Sequence, residues 1–310
     1  MSDAVAATAV RAGSPFDLED DGAYRRWREA KLVDRARDAA DLVVVVRDPR
    51  ALSSAEREAL LQRCARWNMA VYRGPADVSD KSVARAVGRQ LGLQRLDANW
   101  LADEDGISSI AVGDAGGEAA RDRAGYIPYT THALKWHTDG YYHPHERRIR
   151  AMTLHCVRPA ASGGANRLLD HELAYVALRD AMPEGVHALM AGDAMTIPAR
   201  EEADGTARPA QSGPVFAVDA DDGALHMRYT ARTRSIVWKR DAATQAAVAF
   251  LERFLADDNP LALRLRLEPG MGIVANNVLH DRSAFVDDPE RPRLVWRARY
   301  LDRIMRPGER

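Results

Sequence analysis

The amino-acid sequence predicts an α+β fold, an antiparallel barrel or double-sheet jelly roll with flanking helices, on three observations. A strand, helix, strand unit opens the chain, many short β-prone runs follow it, and two later segments carry helical periodicity. In the opening unit, "DLVVVVRD" (41–48) is a β-branched run and "SSAEREALLQRCARW" (53–67) is a helix behind a Ser cap. "NMAVYRG" (68–74) then returns to strand character. A second helix is expected over "SDKSVARAVGRQLG" (79–92), with Ser79 as its cap.

From about residue 107 the texture becomes β-prone pieces divided by Gly, Pro, Asp and Asn: "GISSIAV", "AGYIPYT", "RIRAMTLHCVRP", "GPVFAVD", "ALHMRYT", "RSIVWK", "LALRLRLEP", "GMGIVANNVLH" and "RLVWRARYLD". Helices are expected over 168–182 and 240–257, the second ending before Asn259 and Pro260. Between them 197–213 is polar, with two prolines and two glycines, the composition of a surface lid loop. No repeat or long linker divides the chain, so residues 16–310 read as a single domain behind a frayed start at 1–15.

Composition narrows the function classes. The 310 residues are 46% hydrophobic, ample for a buried core, and 44 Lys and Arg balance 45 Asp and Glu. That balance gives no field that would gather nucleic acid or an anionic membrane, so a small molecule is the expected partner, with homo-oligomerisation left open. The aromatic content of 6% argues against a stacking cleft for bases. Cys64 and Cys156 are too few and too far apart for a disulfide framework or a thiolate zinc site, and read as buried thiols. With no signal-like start and no long apolar run, a cytoplasmic protein is expected.

The stretch "KWHTDGYYHPHERR" (135–148) holds the candidate chemistry: His137, Asp139, His143 and His145. In an extended segment residues two apart face the same side, so His137 and Asp139 can converge on one ion. A third ligand is available in His280, at the end of "GIVANNVLH". Two imidazoles and one carboxylate on one face of an octahedron leave adjacent positions open, the arrangement of non-haem iron(II) sites. His143 and His145 with His137 could instead be drawn as a three-imidazole zinc hydrolase site, but Pro144 should carry them away from the ion. His132 and His155 read as structural. Further on, Arg293 can neutralise the far carboxylate of a dianionic cosubstrate through its rigid guanidinium, with Arg291 and Arg297 as alternatives.

"WHTDG", "SGGANRLLD", "NNVLHDRSAF" and "RPRLVWRARYLD", in this order, resemble the signature blocks of the taurine dioxygenase and clavaminate synthase-like branch of iron(II)/2-oxoglutarate oxygenases, over roughly residues 125–303. The resemblance implies a double-stranded β-helix (jelly roll) core, with Fe(II), 2-oxoglutarate and O2 as cofactor and cosubstrates. It makes His137, Asp139 and His280 the metal ligands and catalytic centre. Arg293 would bind the 2-oxoglutarate distal carboxylate, and Arg297 would support that pocket or reach an anionic substrate group. One departure is Asn166, standing where many members place a threonine that meets the cosubstrate; its amide can still donate to a carboxylate. The intact Asp139 favours hydroxylation, desaturation or a related oxidation over halogenation.

Substrate contacts are expected from Tyr141 and Tyr142 beside the metal motif, from Asn277 if alternation turns it inward in place of Asn276, and from Arg232 or Arg234. The expected substrate is a small anionic or zwitterionic metabolite such as an amino acid. A zinc hydrolase and a silent jelly-roll binding protein are the competing classes.

Overall fold

The computed structural model describes residues 11–78, 80–97, 102–112, 126–201, 207–232, 236–256 and 258–305. Ten of its strands form two sheets: β1 (Val43–Val45), β2 (Met69–Arg73), β3 (Ser108–Ile110), β4 (Leu134–His137), β5 (Ala151–Arg158), β6 (Asn166–Leu169), β7 (Leu263–Leu265), β8 (Met271–Ala275), β9 (Leu279–Arg282) and β10 (Leu294–Tyr300). One sheet runs β1-β2-β8-β5-β10-β3 and the other β7-β6-β9-β4. Only the β1–β2 pair is parallel among these, as expected of strands joined by a helix.

Period-two alternation stacks these sheets. In β2 and β8, Met69, Val71, Ile273 and Ala275 point between the sheets, where they join Met152 and Leu154 of β5 and Leu168, Leu263 and Leu265 of the smaller sheet. Burial of each such large side chain contributes about 1.5–3 kcal/mol, which fixes the register. The alternate residues Ala70, Tyr72 and Val274 face the other way, against α2 (Ser54–Trp67) and α3 (Val83–Gln90) through Leu60, Leu61, Val83 and Val87. The far face of the smaller sheet, Trp136, Leu169 and Leu279, is covered by three helices: α4 (His171–Ala181), α5 (Pro183–Leu189) and α6 (Ala242–Phe254). The result is an α/β/β/α stack.

Local signals place the ends of these elements. Ser53 accepts from the Glu56 amide while the Glu56 carboxylate accepts from the Ser53 amide, a full capping box. Asp241 caps α6 and Asp170 caps α4. Several expectations need correction. The helix expected from residue 168 begins at His171, because Asn166–Leu169 is needed as the strand between β7 and β9. "AGYIPYT" was expected as a strand, but its described part is a short 3-10 turn at Ile127–Tyr129, favoured by Pro128, which has no N–H for a ladder.

The run 270–280 reads as one strand and forms two, in different sheets, because Asn277 takes a left-handed φ of 48° and turns the corner. A helix at Asp21–Val33, here α1 in chain order, was not expected; its buried residues are only Ala23, Tyr24 and Lys31, too sparse for an apolar stripe. Ser79, expected to cap α3, lies outside the described residues. So do residues 1–10 of the expected frayed start, whereas Arg11 donates to the Ala220 and Asp221 carbonyls. The described part of 197–213 is not irregular loop: Arg200–Glu201 pairs with Ala207–Arg208, and Gln211–Gly213 pairs with Met195–Ile197. Cys64 and Cys156 are buried and unpaired with each other. No described helix is long and apolar enough to cross a membrane.

Candidate metal centre and its cavity

Antiparallel pairing of β4 and β9 sets His137 directly opposite His280, with ring centroids 4.2 Å apart. Two residues on, Asp139 completes a set in which one donor atom from each side chain lies within 4.8 Å of the others. All three are buried. The Nδ1 of His137 lies 2.9 Å from the Lys135 carbonyl, and the Nδ1 of His280 lies 2.9 Å from the Val278 carbonyl. A carbonyl only accepts, so both Nδ1 atoms carry the proton and both Nε2 atoms keep a lone pair for a metal.

Asp139 is held from two directions. Its Oδ1 accepts from Arg297 Nη1 at 3.0 Å, while its Oδ2 is buried without a partner, a costly state unless a cation meets it. Burial alone would raise its pKa, yet Arg297 and Arg299 together hold the carboxyl well below the usual range, so it is ionised. Burial, with the neighbouring His280, pulls His137 down to about 3, so its imidazole is neutral. The main chain of Asp139 is gripped as well. Asn277 Oδ1 accepts from its amide at 2.7 Å, and Asn277 Nδ2 donates to its carbonyl at 2.9 Å and to that of Ile149 at 2.7 Å. Asn277 is therefore a positioning residue, and the expectation that it touches substrate is corrected. Asn276 is structural too, exchanging hydrogen bonds with the Ile304 main chain.

A cavity of about 140 Å³ opens at His137 and Asp139. Tyr141, Tyr142 and Arg232 line it, as do Lys135, Ile197, Arg200, Arg208, Thr230, Arg297 and Arg299. Two buried imidazole nitrogens and an orphaned carboxylate oxygen around an open cavity suit a divalent metal with vacant positions. Residues 32–299 match the family described as taurine catabolism dioxygenase TauD, TfdA. The chain belongs to the TauD/TfdA family.

Relatives agree with that membership. A uridine-5'-phosphate dioxygenase of a Streptomyces species is 33% identical over 189 residues, covering 58% of this chain and 66% of the relative; the match thus spans just under two thirds of that protein. An asparagine oxygenase bound to Fe(II), (2S,3S)-3-hydroxyasparagine and succinate shares the fold at 18% identity, with a TM-score of 0.58 over 98% of this chain and 91% of that one. The Fe-bound non-heme iron oxygenase OrfP does so at 17% identity and TM-score 0.55, over 80% and 79% of the two chains.

The remaining expected TauD/TfdA site residues divide into two places. Arg293 and Asn166 share a smaller cleft with Cys156, Gly163 and Gly164. The Arg293 guanidinium is buried over the Phe285 ring at 5.3 Å, and among the described residues no carboxylate pairs with it. Burial lowers its pKa, so an anion there would relieve an uncompensated charge. Asn166 Nδ2 donates to the Asp281 carbonyl at 3.1 Å. Arg297, expected to support the cosubstrate pocket or reach a substrate anion, lines the cavity at His137 and Asp139 and donates to Asp139.

His143 sits 3.3 Å from Asp97, in a network in which Asp97 also meets Arg147 and Arg299. Arg299 in turn donates to the Tyr142 hydroxyl at 3.0 Å. His145 lies against Arg148, and His155 stacks between Tyr72 and Trp296. His132 is exposed. Arg234 lies outside the described residues. Sequence reasoning missed Arg299, Arg200, Arg208 and Lys135; the first lies in the quoted "RLVWRARYLD" at strand spacing from Arg297, so alternation could have found it.

Proposed function

We propose that the protein is an iron(II)- and 2-oxoglutarate-dependent oxygenase that hydroxylates a small anionic or zwitterionic metabolite, for example an amino acid, on a jelly-roll core. The observation that carries this reading is the convergence of one donor atom each from His137, Asp139 and His280 within 4.8 Å, with His137 and Asp139 lining an open cavity. Those three side chains would hold the iron. Bound iron(II) supplies, with 2-oxoglutarate and O2, oxidation of a C–H bond coupled to release of succinate and CO2.

The chain's own contribution is positioning. Arg297 holds the Asp139 carboxylate through one of its oxygens, and Asn277 fixes its main chain. The buried, unpaired Arg293 is suited to a distal carboxylate of 2-oxoglutarate, with Asn166 in the same cleft. Tyr141, Tyr142 and Arg232 would contact substrate from the cavity wall. The relatives' names support small metabolites, a nucleotide in one case and asparagine in another.

The test is succinate release by protein supplied with iron(II), ascorbate and 2-oxoglutarate, screened over small acids, amino acids and phosphorylated metabolites. Substrate-stimulated succinate that disappears in Asp139→Ala supports the reading. No iron- and O2-dependent succinate from any compound of the screen would count against it.

A further inference from the structure

We infer that the substrate carries a dianionic phosphomonoester, clamped in the metal cavity by two pairs of like-charged side chains; the inference rests on the oxygenase reading above and narrows its substrate class.

The first pair is Arg200 and Arg208, which are register partners in the antiparallel ladder of Arg200–Glu201 with Ala207–Arg208. The second follows from β4. His137 pairs with Thr230, bracketed by hydrogen bonds from the Thr138 amide to the Tyr229 carbonyl and from the Ala231 amide to the Trp136 carbonyl. The pairing does not continue beyond that bridge, but Lys135 and Arg232 are the next residues on the same sides of these two segments, and both line the cavity. Like charges directly opposite each other in a ladder are destabilising. That like-charge register occurs at Arg200 and Arg208, and all four side chains line the cavity that holds His137 and Asp139.

Two further cations of the lining are matched by carboxylates. Arg297 and Arg299, also in the lining, are matched by Asp139 and Asp97. Asp139 is the one carboxylate among the described lining residues, and it belongs to the candidate ligand set with His137 and His280. No carboxylate pairs with Lys135, Arg200 or Arg232 among the described residues. The chain as a whole carries a formal charge of −1, so this is a local concentration and not a basic protein. Arg200 lies over the Tyr126 ring at 5.3 Å, an aromatic face that steadies its guanidinium without using the N–H edge, and Arg208 lies over Tyr142 at 5.9 Å while donating to the Pro198 carbonyl at 3.1 Å. The 2-oxoglutarate carboxylate is addressed separately, by Arg293 in the neighbouring cleft.

Two cation pairs from separate elements suit a group with two charges and several acceptor oxygens. A phosphomonoester carries about −1.5 to −2 near neutral pH with three strong acceptors, whereas a carboxylate or sulfonate carries one charge. The ammonium of a zwitterion would meet cations on this wall.

The full-length protein with iron(II), ascorbate and 2-oxoglutarate is assayed for succinate release against phosphomonoesters (sugar phosphates, nucleoside 5'-monophosphates, phosphoserine), each paired with its dephosphorylated counterpart, and against amino acids and sulfonates. We expect at least one phosphomonoester to stimulate succinate and its counterpart not to. Arg200→Gln and Arg232→Gln should each raise the KM of that substrate about 10- to 100-fold, with a smaller change in kcat and partial recovery in Arg232→Lys. Turnover confined to amino acids or sulfonates, equal turnover of a dephosphorylated counterpart, or an unmoved KM would overturn the clamp while leaving the oxygenase reading intact.

Independently of turnover, inorganic phosphate is titrated into the metal-free protein, with circular dichroism confirming that each variant is folded. Phosphate binding that Arg232→Gln weakens about tenfold or more supports the clamp even if no compound yields succinate, in which case the oxygenase reading falls alone. Absent or variant-insensitive phosphate binding counts against the clamp.

Discussion

Asn277→Ala tests how the centre is held together. The asparagine side chain satisfies three buried main-chain groups, the amide and carbonyl of Asp139 and the carbonyl of Ile149. Each such group left without a partner costs about 1–3 kcal/mol, and some of that is recovered by relaxation, so the expected loss is on the order of 4 kcal/mol. Asn277 also sits at a φ of 48°, where a side chain with a Cβ is strained by roughly 1–2 kcal/mol and glycine is not. Asn277→Gly should therefore be more stable than Asn277→Ala by about that strain, although both lose the hydrogen bonds. Urea denaturation of the metal-free proteins reads these differences. Iron(II) titration reads the second consequence: with Asp139 no longer gripped, metal affinity should fall about 10- to 100-fold. If alanine changed stability by less than about 1 kcal/mol and left iron affinity intact, the positioning role would be refuted.

Other perturbations separate the parts of the account. Asp139→Ala should abolish iron-dependent turnover and weaken iron binding, leaving Arg297 as a buried cation without its partner, checked by metal analysis after gel filtration. Arg293→Ala should weaken 2-oxoglutarate by about tenfold or more in a direct titration; unchanged affinity would move the cosubstrate anchor to Arg297 or Arg291. Gly140→Ala should destabilise the protein, since a Cβ there would lie 2.4 Å from Ile149 Cγ1 and 2.8 Å from His143 Cδ2 at a φ of 68°; a melting temperature equal to wild type would contradict this. His155, buried between Tyr72 and Trp296, has its pKa drawn down from 6.5 to about 4 by burial. Between those values the unfolded chain takes a proton that the fold refuses. The stabilisation is present above about pH 6.5 and is lost as pH falls toward 4, a change of about 3 kcal/mol. His155→Phe should flatten that part of the stability–pH curve measured by denaturant titration, and an unchanged slope would sink the assignment.

The triad was legible in the sequence because its logic is periodic: His137 and Asp139 share a side of an extended segment, and His280 ends a β-prone run that lies beside it. The layered strands were legible for the same reason. What the sequence hid depends on single backbone angles and on partners distant along the chain. Nothing in "GMGIVANNVLH" indicates that Asn277 turns a left-handed corner, so one run becomes two strands in two sheets and an expected substrate contact becomes a main-chain clamp. The family resemblance assigned Arg297 to the pocket, but only the fold reveals that it meets Asp139. The polar stretch 197–213 looked like an uncommitted loop because its strands are two or three residues long, too short for an alternation signal, yet it carries Arg200 and Arg208 to the cavity. His143 drew attention as a ligand by proximity in sequence; Asp97, from a distant segment, claims it.

The central claim is that His137, Asp139 and His280 hold iron(II) with positions left open for 2-oxoglutarate. Anaerobic addition of 2-oxoglutarate to the iron(II)-loaded protein, followed by visible absorption, tests it most directly. The account predicts a weak charge-transfer band that saturates with cosubstrate, is absent with zinc(II), and disappears in His137→Ala. Binding of both iron and 2-oxoglutarate without any band, or a band that survives in His137→Ala, would contradict it.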